Sequence, residues 1–281
     1  MRFGVCTSYD RANELRDMSV DYIEESVQRF LRPERPWEEF AAHLARAATL
    51  PLPIEAANSL LPPDMTLVAS PTRQVDYARI EAYMRTALER AAQAGIRVIV
   101  FGSGDVRACP VGVARDDAVR QIGAHLATWS AWARDYDIQI ALEPLRYEET
   151  NTLNTVAEGG ALVISIAASG ATLLADVYHM ACNGEAPDSL EPYGPLLAHV
   201  HVAEQRDRAA PGRYGEDFRP YFAALRRAHY DRRISVECNW QDFAAEVGPV
   251  MTTLRAQWAD STVHERLSSL APPPMADWPL G

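Results

Sequence analysis

Short runs rich in Val, Ile and Leu recur along this chain, and stretches of helical spacing separate several of them. That alternation constrains the fold more than any other feature. The runs cover residues 2–7, 52–57, 65–69, 97–101, 139–143, 172–176, 198–202 and 233–237. Most are continuously apolar rather than alternating, as suits strands buried on both faces of a parallel sheet. Between them, residues 77–94 set Ile80, Met84, Ala87, Leu88 and Ala91 on one helical face. Residues 118–136 do the same with Ile122, Leu126, Trp129 and Trp132. Gly95, directly after the first of these segments, reads as a C-terminal cap. Eight strands alternating with helices predict an α/β fold, a single (β/α)8 TIM barrel, with a doubly wound sheet as the alternative.

The length of 281 residues fits that reading, since one such barrel takes roughly 250. We read residues 1–267 as the barrel, with a longer βα1 segment over 10–36, and residues 268–281 as a Pro-rich tail, extended or packed on the outside. The long segment carries a helical piece, residues 19–31, ended by Pro33, which would cover the barrel mouth or form an interface. Phe30, Leu31, Trp37 and Phe40 are expected to pack on the barrel's own helices. No second domain and no internal repeat stands out.

Composition removes several chemistries. The chain has 27 basic residues, every one an arginine, against 38 acidic ones, for a net charge of −11. Without lysine there is no Schiff-base aldolase, no pyridoxal-phosphate aldimine and no phosphate-loop lysine. The acidic balance disfavours nucleic acid and anionic membranes as partners, because both need a basic face. Cys6, Cys109, Cys182 and Cys238 form no CxxC pair and read as reduced thiols of a cytoplasmic protein. The opening MRFGVCTSYD reads as a strand without the long apolar core of a signal peptide. No run reaches the ~18 uncharged apolar residues of a transmembrane helix.

Catalytic groups of a parallel barrel sit at the C-terminal ends of its strands. Glu143 closes QIALE, Asp176 closes TLLAD, His201 lies in AHVHVAE and Glu237 closes ISVE. Each charge follows an apolar run, where it is costly unless paired or bound to a cation. Three carboxylates and one imidazole suit one divalent metal ion, Mn²⁺, Mg²⁺ or Co²⁺ first, with Zn²⁺ still open. A Glu at one strand end is by itself more often a helix cap or an ion-pair partner; the joint pattern on strands five to eight carries the argument. His179, Glu149 and an arginine in QRDRAAPG sit beside these positions, and His199 precedes His201 by two. Of Arg206 and Arg208, Arg208 is the one preferred near the metal; its bland alternative is a loop arginine paired with Asp207 or Glu204. Glu148 and Glu149 are neighbours, so only one points inward.

The segments ALEPLRYEETNTLNT, LLADVYHM, HVHVAEQRDRAAPG and ISVECNW, with FGSGDVRACP after strand four, resemble the xylose-isomerase-like TIM-barrel superfamily. Within it they resemble the sugar isomerase/epimerase group that includes the ketose 3-epimerases. The resemblance implies Glu143, Asp176, His201 and Glu237 as metal ligands, and Glu149, His179 and Arg208 as substrate contacts. It implies a small-molecule carbohydrate partner and leaves a homodimer or homotetramer open. Two departures stand out: the loop after His201 is one residue longer than the family pattern, and Arg146-Tyr147-Glu148 replaces the usual Asn-Arg before the second Glu.

The implied reaction is proton transfer through a metal-stabilised enediolate on a ketose, aldose or related polyol carbonyl, with Glu143 and Glu237 as the catalytic pair on opposite faces. A metal-dependent lyase or dehydratase acting on a keto-sugar or cyclic polyol shares the enolate and is the nearest rival. An apurinic-site endonuclease would need an Asp-x-His after strand seven, where this chain reads Asp207-Arg208-Ala209. A non-catalytic sugar-binding protein would have no use for two opposed bases.

Overall fold

A computed structural model describes residues 1–269 of the chain, with side chains as far as residue 262. Eight strands close into a parallel barrel in chain order. They are β1 (Arg2–Cys6), β2 (Tyr22–Ser26), β3 (Ile54–Asn58), β4 (Val98–Phe101), β5 (Gln139–Leu142), β6 (Thr172–Asp176), β7 (Leu197–Val202) and β8 (Arg233–Val236). The ring closes where Arg2–Val5 pair in register with Arg233–Val236. Outside run α1 (Trp37–Ala47), α2 (Tyr77–Ala94), α3 (Arg115–Arg134), α4 (Val156–Ser165), α5 (Val177–Asn183), α6 (Arg219–Arg227) and α7 (Phe243–Ser269).

Local chemistry sets the helix ends. The Asp76 carboxylate accepts from the Arg79 N–H at the start of α2, satisfying one of the four donors a helix leaves bare there. Gly95 ends α2 at φ 80°, a left-handed conformation that costs glycine little. Asp176 ends β6 and also caps α5, its Oδ1 accepting from the Tyr178 N–H at 2.8 Å.

Strand period divides the core into two layers. One set of alternate residues, including Phe3, Ile23, Ile99, Phe101, Ile140 and Val236, packs outward against the helices. The other set fills the barrel with Tyr22, Ala56, Val98, Val100, Ala141, Leu174 and Ala198. Gly4 makes room for Tyr22, since a Cβ there would lie 2.3 Å from the ring. Towards the C-terminal mouth the inward positions turn polar.

Two expected segments are corrected. Residues 10–36 are not one long βα1 loop: they contain β2, and only Val27–Leu31 of the expected 19–31 helix forms a helical turn. Two adjacent glutamates interrupt the apolar pattern of this stretch. Both are buried: Glu25 accepts from Tyr9 N at 2.7 Å and from Arg29 at 2.9 Å, and Glu24 is held from across the barrel. Residues 65–69 form no strand. Met65, Leu67 and Val68 are buried in a covering loop, where Leu67 N–H bonds to Val106 O at 3.0 Å instead of joining a ladder. Phe30, Leu31 and Phe40 are buried, while Trp37 stays half exposed against Phe40. Of the expected tail, Ser268 and Ser269 still belong to α7, and residues 270–281 lie outside the described residues. Among the described residues all four cysteines are free, and no helix is long and apolar enough to cross a membrane.

Candidate metal centre

The inward positions at the ends of β5 to β8 bring Glu143, Asp176, His201 and Glu237 together. One donor atom from each lies within 4.8 Å of every other. His201 Nδ1 stands at the middle, 3.3 Å from Glu143 Oε1 and 3.2 Å from Glu237 Oε2. His179, on the first turn of α5, sets its Nε2 3.4 Å from Asp176 Oδ2 and 3.9 Å from Glu143 Oε1. Its Nδ1 accepts from Arg146 N–H at 3.4 Å, so the ring turns its other nitrogen towards the carboxylates.

The two candidate arginines separate. Arg208 reaches Asp176 Oδ2 at 3.3 Å, pairs with Glu237 Oε2, and donates from Nε to the Glu237 carbonyl at 3.1 Å. Neither Asp207 nor Glu204 takes it. Arg206 points out over the Tyr214 ring, 4.2 Å from its centroid. Glu204 instead accepts the N–H groups of Gly212, Tyr214, Gly215 and Glu216, which shapes the loop behind Arg208. Glu149 borders the cavity and accepts from Arg146 Nε at 2.8 Å, while Glu148 is exposed.

Three supporting groups went unnoticed in the sequence. Asn58, the last residue of β3, donates to Glu237 Oε1 at 2.7 Å. Arg107 is fully buried and donates to three carbonyls: Gly102 at 2.7 Å, Thr152 at 2.9 Å and Glu143 at 2.8 Å. It ties the loops after β4 and β5 to the backbone of Glu143. Glu24 on β2 accepts from His201 Nε2 at 2.9 Å and from His199 Nε2 at 2.7 Å. Asn58 closes its apolar run as Glu143 closes another, so that signal was available. Nothing local marks Glu24 or Arg107.

Burial and charge compete throughout the cluster. Burial raises the Glu143 carboxyl above its ordinary range, against the pull of His201. Burial opposes ionisation of Glu237 too, but His201 and Arg208 bring it down to about 2. Burial works against a charged His201, yet Glu24 and Glu237 raise it well above the usual imidazole value. Burial brings the Arg107 guanidinium down to about 10.

The donor set fits a hard divalent cation. Three carboxylates converge where one guanidinium and the neighbouring imidazoles offset their charge, and oxygen plus imidazole donors suit such ions. An octahedral ion with bonds of ~2.1 Å spans donors up to about 4.2 Å apart, close to the spread seen here. Cys6, Glu24 and His201 also come within reach of one another, but Glu24 and His201 bond each other and burial keeps the Cys6 thiol protonated. Above the four residues opens a cavity of about 170 Å³, bordered by Asn58, Ser103, Leu145 and Glu149. A larger groove of about 610 Å³ between α3 and α4 is mainly apolar and lies away from the strand ends.

A family model described as "Xylose isomerase-like TIM barrel" matches residues 12–261. The chain belongs to that family. An L-ribulose 3-epimerase from Methylomonas sp. is 35% identical over 130 residues, 45% of this chain and 43% of that protein. A D-psicose 3-epimerase from Agrobacterium fabrum is 31% identical over 107 residues, 38% of this chain and 37% of that protein. The matched stretch thus spans less than half the length of these relatives. A solved L-ribulose 3-epimerase structure aligns with a TM-score of 0.78 over 97% of this chain and 99% of that one at 20% identity, a likeness of fold.

Proposed function

We propose that this chain is a divalent-metal-dependent sugar epimerase or isomerase that moves a proton at the carbon beside a carbonyl, and that its substrate is a small unphosphorylated ketose. One observation carries the reading. Glu143 and Glu237, on strands three places apart around the ring, both turn a carboxylate onto His201 Nδ1, at 3.3 and 3.2 Å. Two carboxylates facing one small space from different sides are what removal and return of a proton on opposite faces requires.

Glu143, Asp176, His201 and Glu237 would hold the cation; Mn²⁺, Mg²⁺ and Co²⁺ suit this donor set, and Zn²⁺ also accepts it. When bound, such an ion supplies Lewis-acid polarisation of the substrate carbonyl, worth several kcal/mol. One glutamate takes the proton from its face of the substrate carbon, and the other returns it to the opposite face. His179 and Arg208 orient substrate oxygens over the cluster, and Glu149 reads a hydroxyl at the cavity wall. Among the described residues, the arginines beside the cavity are engaged: Arg208 by Asp176 and Glu237, and Arg146 by Glu149. That engagement supports a neutral sugar over a phosphate ester. The 3-epimerase names of the two relatives support inversion at carbon 3 of a ketose.

The test is incubation of Mn²⁺-loaded protein with a panel of free ketoses in D₂O. We expect a carbon-3 epimer carrying one solvent deuterium, with no water lost. Loss of water would reassign the enzyme as a lyase. A protein that retains no divalent ion and turns over no ketose would overturn the reading.

A further inference from the structure

We propose that Glu24 is a positioning residue of this centre: its carboxylate holds the Nε2–H of His201 and thereby commits Nδ1 to the three carboxylates at the mouth. The inference rests on the metal reading above and deepens it.

Glu24 lies inside the barrel on β2 and is 1% exposed. Its Oε1 lies 2.9 Å from His201 Nε2 and its Oε2 2.7 Å from His199 Nε2. A carboxylate only accepts, so each of these bonds needs a proton on the Nε2 it meets. A neutral His201 with that proton on Nε2 keeps its lone pair on Nδ1. Nδ1 is the atom facing Glu143 Oε1 and Glu237 Oε2. Carboxylates that take the second N–H of a metal-binding imidazole fix its tautomer and orientation in this way.

The second arm of Glu24 shows what the arrangement serves. His199 is fully buried, and among the described residues its Nδ1 has no hydrogen-bond partner. A bare buried nitrogen is unfavourable, and elsewhere inside the barrel the inward positions of β3, β4 and β5 are filled by Ala and Val. An apolar residue at 199 would avoid that loss. The ring's Nε2 instead anchors the far oxygen of Glu24, and Ser235 Oγ stands 3.2 Å from the same nitrogen, itself 2.8 Å from the Tyr22 hydroxyl. Glu24 is thus held at both oxygens, and so cannot swing away from His201.

The experiment measures Mn²⁺ affinity of the full chain and of Glu24→Gln by titration calorimetry, with circular dichroism to establish that each is folded. Gln keeps the shape but offers one acceptor oxygen to two imidazole N–H groups. The variant's Kd for Mn²⁺ is expected to rise roughly 10–100-fold, the usual effect of losing such a partner. A folded Glu24→Gln chain with the parental Kd overturns the inference and leaves the metal reading intact. A parent that binds no Mn²⁺ overturns both. Should the variant not fold, nitrogen-15 histidine spectra of the Zn²⁺-loaded parent decide. A proton on His201 Nε2 that exchanges slowly with solvent is expected; ligation through Nε2, or an Nε2–H that exchanges freely, overturns the proposal.

Discussion

Around the mouth of the barrel, the inward positions nearest the ends of β5 to β8 hold Glu143, Asp176, His201 and Glu237, whereas those of β1 to β4 hold Cys6, Glu24, Asn58 and the Gly102 that follows β4. The first set converges to within 4.8 Å. The second set touches it from behind. Glu24 holds His201, Asn58 holds Glu237, and the missing side chain of Gly102 leaves space for Glu143, whose Oε2 would lie 2.4 Å from a Cβ at that position. One half of the ring presents the candidate ligands, and the other half contacts them from behind. A cluster of three converging carboxylates, two of them buried, is tolerable only when its geometry is enforced from outside the cluster.

The sharpest way to break this division is to remove a donor. Glu143→Gln and Glu237→Gln are each expected to lower kcat by roughly 10²–10⁴-fold, with cooperative thermal unfolding retained; parental turnover in either variant would strip that glutamate of its role. Next comes the supporting half. Arg107→Met leaves three buried carbonyls without their donor, at about 1 kcal/mol each. Urea unfolding should therefore show a loss of about 3 kcal/mol, and a loss below about 1 kcal/mol would mean that the loops hold Glu143 without it. Asn58→Ala removes one bond to a charged group and should cut kcat/KM about tenfold, roughly 1.4 kcal/mol, with little change in stability. If stability falls instead and kcat/KM does not, Asn58 is a structural residue of β3. The smallest effect belongs to Arg206, whose side chain is 73% exposed. Arg206→Ala should keep kcat within about twofold and stability within about 0.5 kcal/mol; a tenfold loss would make Arg206, not Arg208, the arginine that meets substrate.

The convergence of these four residues was legible because Glu143, Asp176 and Glu237 each close a continuously apolar run and His201 lies one residue before the end of β7. A charge there is too costly to be incidental, and the strand period alone decides that it faces inward. The same logic found α2 and its Gly95 cap. It failed at β2, where YIEES is buried along its whole length although two of its five residues are glutamates. Their partners stand far off in sequence: His201 is 177 residues from Glu24, and Tyr9 is 16 from Glu25. It failed in the opposite sense at residues 65–69, which are apolar because they cover the core as a loop. Arg107 carries no local signal, since the carbonyls that hold it belong to Gly102, Glu143 and Thr152 on the loops after β4 and β5.

What the sequence determined by itself was the barrel alternation, seven of its eight strands, and the charged residues near the ends of β5 to β8, because those follow from local period, caps and the cost of an unpaired charge. What only the tertiary structure decided was which polar group meets which. Closing the ring sets β2 across from β7, and β3 within reach of the residue that follows β8. Whether a buried glutamate is a fault or a support depends on the imidazoles it then meets.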